Sequence, residues 1–432
     1  MLRNCPPQDV RRVIFEWPAS LNETFERILS EISMATWRSA VYRVLECLCV
    51  AARPLRLEEL AELLAPDFHR TEPRELQCDD WEYKVLSWCS SLITLVDNGH
   101  SRVVQLSHLS VKEFLTSDRL ATYPRGIARF HITLKAAHRT LTQACLATLL
   151  RLDGSLSNDQ VERSFPLAGY VGQHWMEHAL LGKVSFWTGG MRQLFDPIKP
   201  YFSSWLRLYN IDDHWNQFGN AWVARGSPLY YASLCGLHDL AEHIIKHHPE
   251  QVNATGGRRH TPLAAALSKG HFHVADILHQ HGASMNVTDY DNQTLLQAAS
   301  VEGQSDVTRW LLDYGADMNS QGDDLGAPIH LATANGHPEV IETLLEYEVN
   351  IDSADNDGRT ALHLASSSGK VEMVRLLLER GANPNVVDKD GCTPSSLTWT
   401  TEIERLLLDY GASPGGEGRL TKGGNERESM MD

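Results

Sequence analysis

The chain has 432 residues, 42% of them apolar and 22% charged, with a formal net charge of -16. That length exceeds one compact core and predicts two or three folding units, and apolar runs such as Val44 to Ala52, interrupted by Glu46, fall well short of the ~20 residues of a membrane span. The charge is uneven: residues 227–412 hold 11 basic and 26 acidic side chains (-15), residues 1–226 hold 25 of each, and the tail carries the remaining -1, so the C-terminal half repels phosphate backbones and suits a protein partner with a basic surface rather than nucleic acid.

The first residues, MLRNCPPQDVRR, lack the apolar segment of a secretory signal, and the eight cysteines include no C-x-x-C pair. A reducing, cytoplasmic setting with buried thiols is therefore expected. Ser20-Leu21-Asn22-Glu23 reads as a capping box opening an amphipathic helix through Phe25, Ile28 and Leu29. A second helix follows over Trp37 to Ala52, ended by Pro54, and a third over Leu57 to Leu64. After a helix near Val85 to Cys89, two short apolar runs, Leu92 to Val96 and Val103 to Leu106, flank Asp97-Asn98-Gly99-His100 and predict a β-hairpin. Helices closed by one hairpin make a winged-helix unit. The pattern turns helical and aromatic again over His131 to Leu152 and Val161 to Leu181, continuing through Trp187, Trp205 and Trp215.

From Ser227 the sequence repeats. A tetrapeptide recurs as SPLY at Ser227, TPLA at Thr261, TLLQ at Thr294, APIH at Ala327, TALH at Thr360 and TPSS at Thr393, in steps of 34 and then 33 four times. Glycines at 236, 270, 303, 336 and 369 close a first short helix, and Gly282, Gly315 and Gly381 follow a second carrying Leu311-Leu312, Leu344-Leu345 or Leu376-Leu377. Glycine suits both places because the residue after a helix often takes a positive φ. Each unit reads turn, helix, loop, helix, and only stacking can bury its apolar stripe. Glu348 stands where a post-helix glycine is expected, Pro249 replaces the usual turn of the first unit, and the last unit is shortened between Trp399 and Glu402.

Gly358 to Asn385, GRTALHLASSSGKVEMVRLLLERGANPN, closely resembles the ankyrin-repeat family, and the resemblance covers about 185 residues from Ser227 to Gly415. WPASLNETFERILSEI, ARPLRLEELAELL and LSHLSVKEFLTSDRL resemble the winged-helix module that follows the NACHT nucleotide-binding domain in fungal NACHT-ankyrin proteins. Together they imply a mainly α chain: a helical remnant over 1–34, a winged-helix domain over 35–120, a helical connector over 121–225, ankyrin repeats over 226–415 and a disordered tail over 416–432. The family's NTPase lies upstream, and the sequence has no G-x-x-x-x-G-K-[ST] loop to cradle phosphate. The implied role is a non-enzymatic interaction scaffold, the sensor or adaptor portion of a switch, with no cofactor and no metal.

The ankyrin resemblance further implies a contact strip along the finger tips and the ends of the first helices. It comprises Arg258, Arg259, His260, Lys269, Tyr290, Asp291, Gln293, Glu302, Asp323, Asp324, Asn335, Asn356, Asp357, Arg359, Lys389 and Asp390. The strip begins basic and turns acidic. Tyr290 and Arg359 are the expected hot spots, because such side chains offer a large contact area or forked hydrogen bonds.

Other constellations compete with bland readings. His174-Trp175-Met176-Glu177-His178 matches the H-x-x-E-H pattern of inverted zinc peptidases, but spacing identifies no third ligand. Nine of the twenty histidines lie between His238 and His281; solvated helix faces explain them better than metal binding does. A DNA-binding winged helix is the other alternative, opposed by Glu58, Glu59 and Glu62 against Arg56 on the Leu57–Leu64 helix. Acidic turns at Asp289, Asp355 and Asp388 superficially resemble calcium loops, yet Leu364 and Leu397 occupy the place of the required glutamate, and turn chemistry accounts for them.

Overall fold

A computed structural model describes residues 21–34, 38–64, 89, 91–97, 99, 101–152, 154–182, 189–209, 226–320 and 326–413. The expected capping serine Ser20, nearly all of the Val85–Cys89 helix, Trp187, Trp215 and the tail lie outside them. The chain divides into two compact units, residues 1–219 and 220–432.

The first unit begins with α1 (Leu21–Ser33), α2 (Arg38–Val50), β1 (Leu55–Arg56) and α3 (Leu57–Leu64), then β2 (Ile93–Asp97), β3 (Arg102–Leu106) and α4 (Leu109–Thr116). β2 and β3 form the expected hairpin, pairing antiparallel from Ile93↔Leu106 to Asp97↔Arg102. The two-residue β1 adds a third strand on the other side of β3, pairing Leu55 with Val104 and Arg56 with Val103. A strand that short has no periodicity to read, so the sequence did not signal it. Leu29, Val44, Leu45, Leu55, Leu60, Leu92 and Val104 are all buried behind this small sheet.

Next come α5 (Leu134–Leu149), α6 (Ala168–Leu181), α7 (Gly189–Leu194) and α8 (Tyr201–Leu208). The helical pattern expected from Val161 is interrupted: a short helix spans Asn158–Ser164, and the chain turns before α6. Trp175, Phe195, Phe202 and Trp205 pack with ring centroids 5.4–6.1 Å apart, and the Trp205 indole donates to the Gly172 carbonyl at 3.0 Å. The helical segment is tied to the sheet domain. Glu62 of α3 accepts from the Leu167 amide at 2.8 Å and pairs with Arg151 at 3.4 Å, and the Ala52 amide donates to the Tyr170 hydroxyl at 3.1 Å.

Among the described residues the second unit holds six helix pairs: α9 (Pro228–Leu234) with α10 (His238–His247), α11 (Pro262–Ser268) with α12 (Phe272–Gln280), α13 (Leu295–Glu302) with α14 (Ser305–Asp313), α15 (Pro328–Asn335) with α16 (Pro338–Glu346), α17 (Ala361–Ser367) with α18 (Val371–Glu379), and α19 (Pro394–Leu397) with α20 (Thr401–Asp409). The tetrapeptide opens each first helix. Ser227, Thr261 and Thr294 cap it by accepting from the amide three residues on, and after Ser227 and Thr261 a proline follows where its missing N–H costs nothing. Second helices bury period-matched residues such as Val340, Ile341 and Leu344, or Val374 and Leu377.

The glycines at 236, 270, 303, 336 and 369 all adopt positive φ, between 69° and 82°. Glu348 takes the same left-handed conformation at φ 60°, so the backbone geometry persists where the glycine is missing. Pro249 starts a single 3-10 turn, Pro249–Gln251, and Gln251 accepts from the Leu229 amide at 3.1 Å.

Candidate functional site

Three of the fingers between helix pairs are each folded by one aspartate. Asp289 Oδ1 accepts from the Asp291 and Gln293 amides, Asp355 Oδ1 from Asp357 and Arg359, and Asp388 Oδ1 from Asp390 and Cys392, all at 2.8–3.0 Å. These carboxylates are committed to the backbone, which is the physical basis for reading the acidic turns as fingers rather than ion loops.

The fingers are locked to the first helices by the last residue of the tetrapeptide. Gln297 Nε2 donates to the Gly326 carbonyl at 2.9 Å, His330 Nε2 to Ser353 at 2.9 Å and His363 Nε2 to Cys392 at 3.1 Å. The other polar atom of each accepts from the amide of Thr294, Ala327 or Thr360. Because a carbonyl can only accept, both histidines must carry their proton on Nε2 and remain neutral. Burial, opposed by the partner hydrogen bonds, accordingly lowers the pKa of each.

Most of the expected strip is exposed on this side: Arg258, Lys269, Tyr290, Asp291, Glu302, Asn335, Asn356, Asp357, Lys389 and Asp390, with Arg259, His260, Gln293 and Arg359 half-buried. Asp323 and Asp324 lie outside the described residues. Arg258, Arg259, Tyr290, Asp291, Gln293 and Glu302 converge on one groove of about 460 Å³, floored by Leu267, Leu295 and Ala298. Its wall is braced: Arg259 pairs with Glu302, His260 meets the Tyr290 ring edge-on at 4.9 Å, and the buried Tyr230 hydroxyl accepts from the Arg259 amide at 3.1 Å. Tyr290 nonetheless remains 51% exposed.

Arg359 is differently placed. Its Nε donates to Asp355 at 3.1 Å and its terminal nitrogen to Asp357 at 2.6 Å, so much of the forked guanidinium is used within its own finger. Lys389 Nζ donates to the Asn356 carbonyl at 2.6 Å, and Asn335 to the Leu331 carbonyl at 2.9 Å.

A second ladder runs beneath the fingers. In three successive units the residue after the first-helix glycine reaches back to the preceding unit: Gln304 to Ser268 at 3.5 Å, His337 to Val301 at 2.9 Å, and Lys370 to Thr333 at 3.3 Å and Ala334 at 2.5 Å. In the shortened last unit Trp399 fills this role, its indole donating to the Ser367 carbonyl at 3.1 Å. The sequence marked Trp399 only as the edge of a deletion; an indole that replaces His, Gln and Lys across a gap has no register by which to be recognised.

The H-x-x-E-H segment lies on α6, but His178 is only 1% exposed and both its ring nitrogens are engaged. The Tyr170 hydroxyl, which accepts from the Ala52 amide, shares a hydrogen bond with His178 Nε2 at 2.7 Å, and His178 Nδ1 shares one with His138 Nδ1 at 2.9 Å. Burial, reinforced by His138 and His174, lowers the His178 pKa to about 3. This imidazole is built in as a neutral hydrogen-bond relay, with neither nitrogen turned to a metal. Among the described residues no group of three or more His, Cys, Asp or Glu is placed to hold one. His243 and His247, in the histidine-rich stretch, lie with ring centroids 4.2 Å apart and tilted by 42° on α10.

The acids of α3 are likewise not an outward-facing surface. Glu59 is fully buried, held bidentately by Arg53 at 2.6 and 2.8 Å and by the Arg56 amide at 2.7 Å. Burial alone would raise its pKa, but these donors outweigh it and hold the carboxyl low. The electrostatic objection to DNA therefore changes form: two of the three glutamates are buried, Glu59 against Arg53 and Arg56 and Glu62 against the helical segment, rather than facing solvent.

Comparison with known proteins agrees with this architecture. An ankyrin-repeat family profile, covering three copies, matches residues 229–322 and 320–388, and a profile described as the winged-helix domain of GPI inositol-deacylase matches residues 29–123. A curated relative, azaphilone pigments biosynthesis cluster protein L from Monascus ruber, is 31% identical over 280 residues, 60% of this chain and 59% of that protein. The chain thus spans about 59% of the length of the curated relative it matches. Similar solved structures include the ankyrin repeat domain of Bcl-3, an IkappaB family member (26% identity, TM-score 0.41, 44% of this chain and 88% of that one). An ankyrin repeat domain from Acinetobacter baumannii is also similar (34% identity, TM-score 0.38, 43% of this chain and 98% of that one). The chain is mainly helical, with a winged-helix domain at its N-terminal end and ankyrin repeats in its C-terminal half. No helix among the described residues is long and apolar enough to cross a membrane.

Proposed function

We propose that this chain is a non-enzymatic protein-interaction scaffold, the sensor or adaptor portion of a switch of the fungal NACHT-ankyrin type, working in the cytoplasm. The finger side of the repeat array holds a partner protein whose contacting surface is basic. One observation carries the reading: side chains from separate fingers and helices converge on the Tyr290 groove while the backbone beneath them is fixed by two independent hydrogen-bond ladders. A rigid array presenting variable polar tips matches what recognition of a folded partner needs, because little conformational entropy remains to be lost on binding. The array's charge of -15 selects the sign of that partner.

Affinity purification of the full chain, compared with a Tyr290→Ala, Arg258→Ala double variant, tests the proposal. A partner retained by the parent and lost by the variant, at unchanged thermal stability, is the expected result. Identical partners for both chains would remove the groove from the account, and an enzymatic turnover abolished by His178→Ala would remove the scaffold.

A further inference from the structure

Trp399 is 75% exposed, far more than a residue serving only the core. It is also held in place. Its indole donates to Ser367 at 3.1 Å, and its six-membered ring lies against Gly369, where an added Cβ would sit 2.7 Å from the ring. Gly369 has φ 69°, so both its backbone conformation and its missing side chain make the seat for this ring. The result is a fixed aromatic plate at the end of the array, held on one side and open to solvent for most of its area.

The charge of the array bears on what the plate can hold. The preceding rung of the same ladder, Lys370, points its ammonium back into the Thr333 and Ala334 carbonyls. Three residues beyond Trp399, Glu402 is exposed at the start of α20, and Glu404 follows it in the first turn. An electron-rich ring face on an array of net charge -15 attracts a cation, and arginine stacks on it with both charge and plane.

We propose that Trp399 is the anchor for an arginine or lysine side chain of a basic segment in the bound partner. This rests on the proposed interaction role of the array and names the chemistry of its ligand at the C-terminal end. The seated cation completes a platform of which the protein supplies one half: the indole plate, oriented by Ser367 and Gly369.

The test uses the full chain and a fluorescein-labelled peptide of alternating glycine and arginine, with a second peptide in which citrulline replaces every arginine. Citrulline keeps the planar shape and removes the charge. Binding is followed by fluorescence anisotropy at low salt, with Trp399→Phe, Trp399→Leu and Trp399→Ala variants matched for thermal unfolding. Binding of the arginine peptide is expected to weaken about tenfold in Trp399→Leu and Trp399→Ala but only about threefold in Trp399→Phe, which keeps a π face. The citrulline peptide is expected not to bind. Equal affinity for the parent and Trp399→Ala, or for the two peptides, overturns the inference; so does full retention in Trp399→Leu, which would make the contact merely apolar. If Trp399→Ala leaves peptide binding intact while the Tyr290 variant still loses its cellular partner, the anchor fails and the scaffold reading stands.

Discussion

Glu348 and Gly315 occupy the same place after the second helix of adjacent units, at φ 60° and 82°. An added Cβ at Gly315 would meet nothing within 4 Å, so substitution there tests backbone conformation without a steric clash. A left-handed conformation costs a residue with a Cβ about 1–2 kcal/mol, while glycine gives back about 0.4–1 kcal/mol through the freedom it adds to the unfolded chain. Glu348→Gly is therefore expected to stabilise the array by about 0.5–1 kcal/mol, and Gly315→Ala to destabilise it by a similar amount. Urea unfolding of the full chain, followed by far-ultraviolet circular dichroism, should show opposite shifts in the midpoint of the array's transition with an unchanged slope. If Glu348→Gly destabilises the array or leaves it unaltered, the left-handed residue is not a strained substitute for the missing glycine.

His363→Gln should preserve both bonds of the finger lock, as Gln297 does two units earlier, and change stability by less than about 1 kcal/mol, whereas His363→Leu strands the Thr360 amide and the Cys392 carbonyl at a cost of about 2–3 kcal/mol. Denaturant midpoints distinguish them. His178, His138, His330 and His363 all have lowered pKa values in the folded protein. Below the unfolded value of about 6.5 the unfolded chain binds the additional protons, so stability should be level above that pH and fall as the pH drops below it; His178→Gln should flatten the fall in the first unit, measured as the urea midpoint against pH. Glu59→Ala leaves Arg53 and Arg56 without their shared carboxylate and should lower the stability of the first unit by about 3 kcal/mol, read from its thermal transition.

Repetition made the second unit legible. Six aligned tetrapeptides and two sets of glycines locate the turns and helices, because stacking imposes the same backbone demands every 33 residues. The hairpin of the first unit was equally readable from its Asn-Gly turn and paired apolar runs. β1 was not, since two residues carry no alternation, and the α5–α6 region was readable as helical but not in its break at residues 165–167. At the site, sequence placed Tyr290 and its neighbours on the finger side, while the engagement of Arg359 by Asp355 and Asp357 depends on side-chain direction. Trp399 was legible only as the edge of a deletion, which shifted it out of register, although space restores it to the ladder position held by His337 and Lys370 in earlier units.

Site-specific photo-crosslinking in the full chain tests most directly whether the finger side is where a partner sits. A benzophenone amino acid placed at Tyr290 should yield a discrete covalent adduct with a partner protein in cells, while the same group at Glu379, exposed on the second-helix layer, should yield none. Adducts from Glu379 with none from Tyr290 would place recognition on the opposite layer and contradict the account.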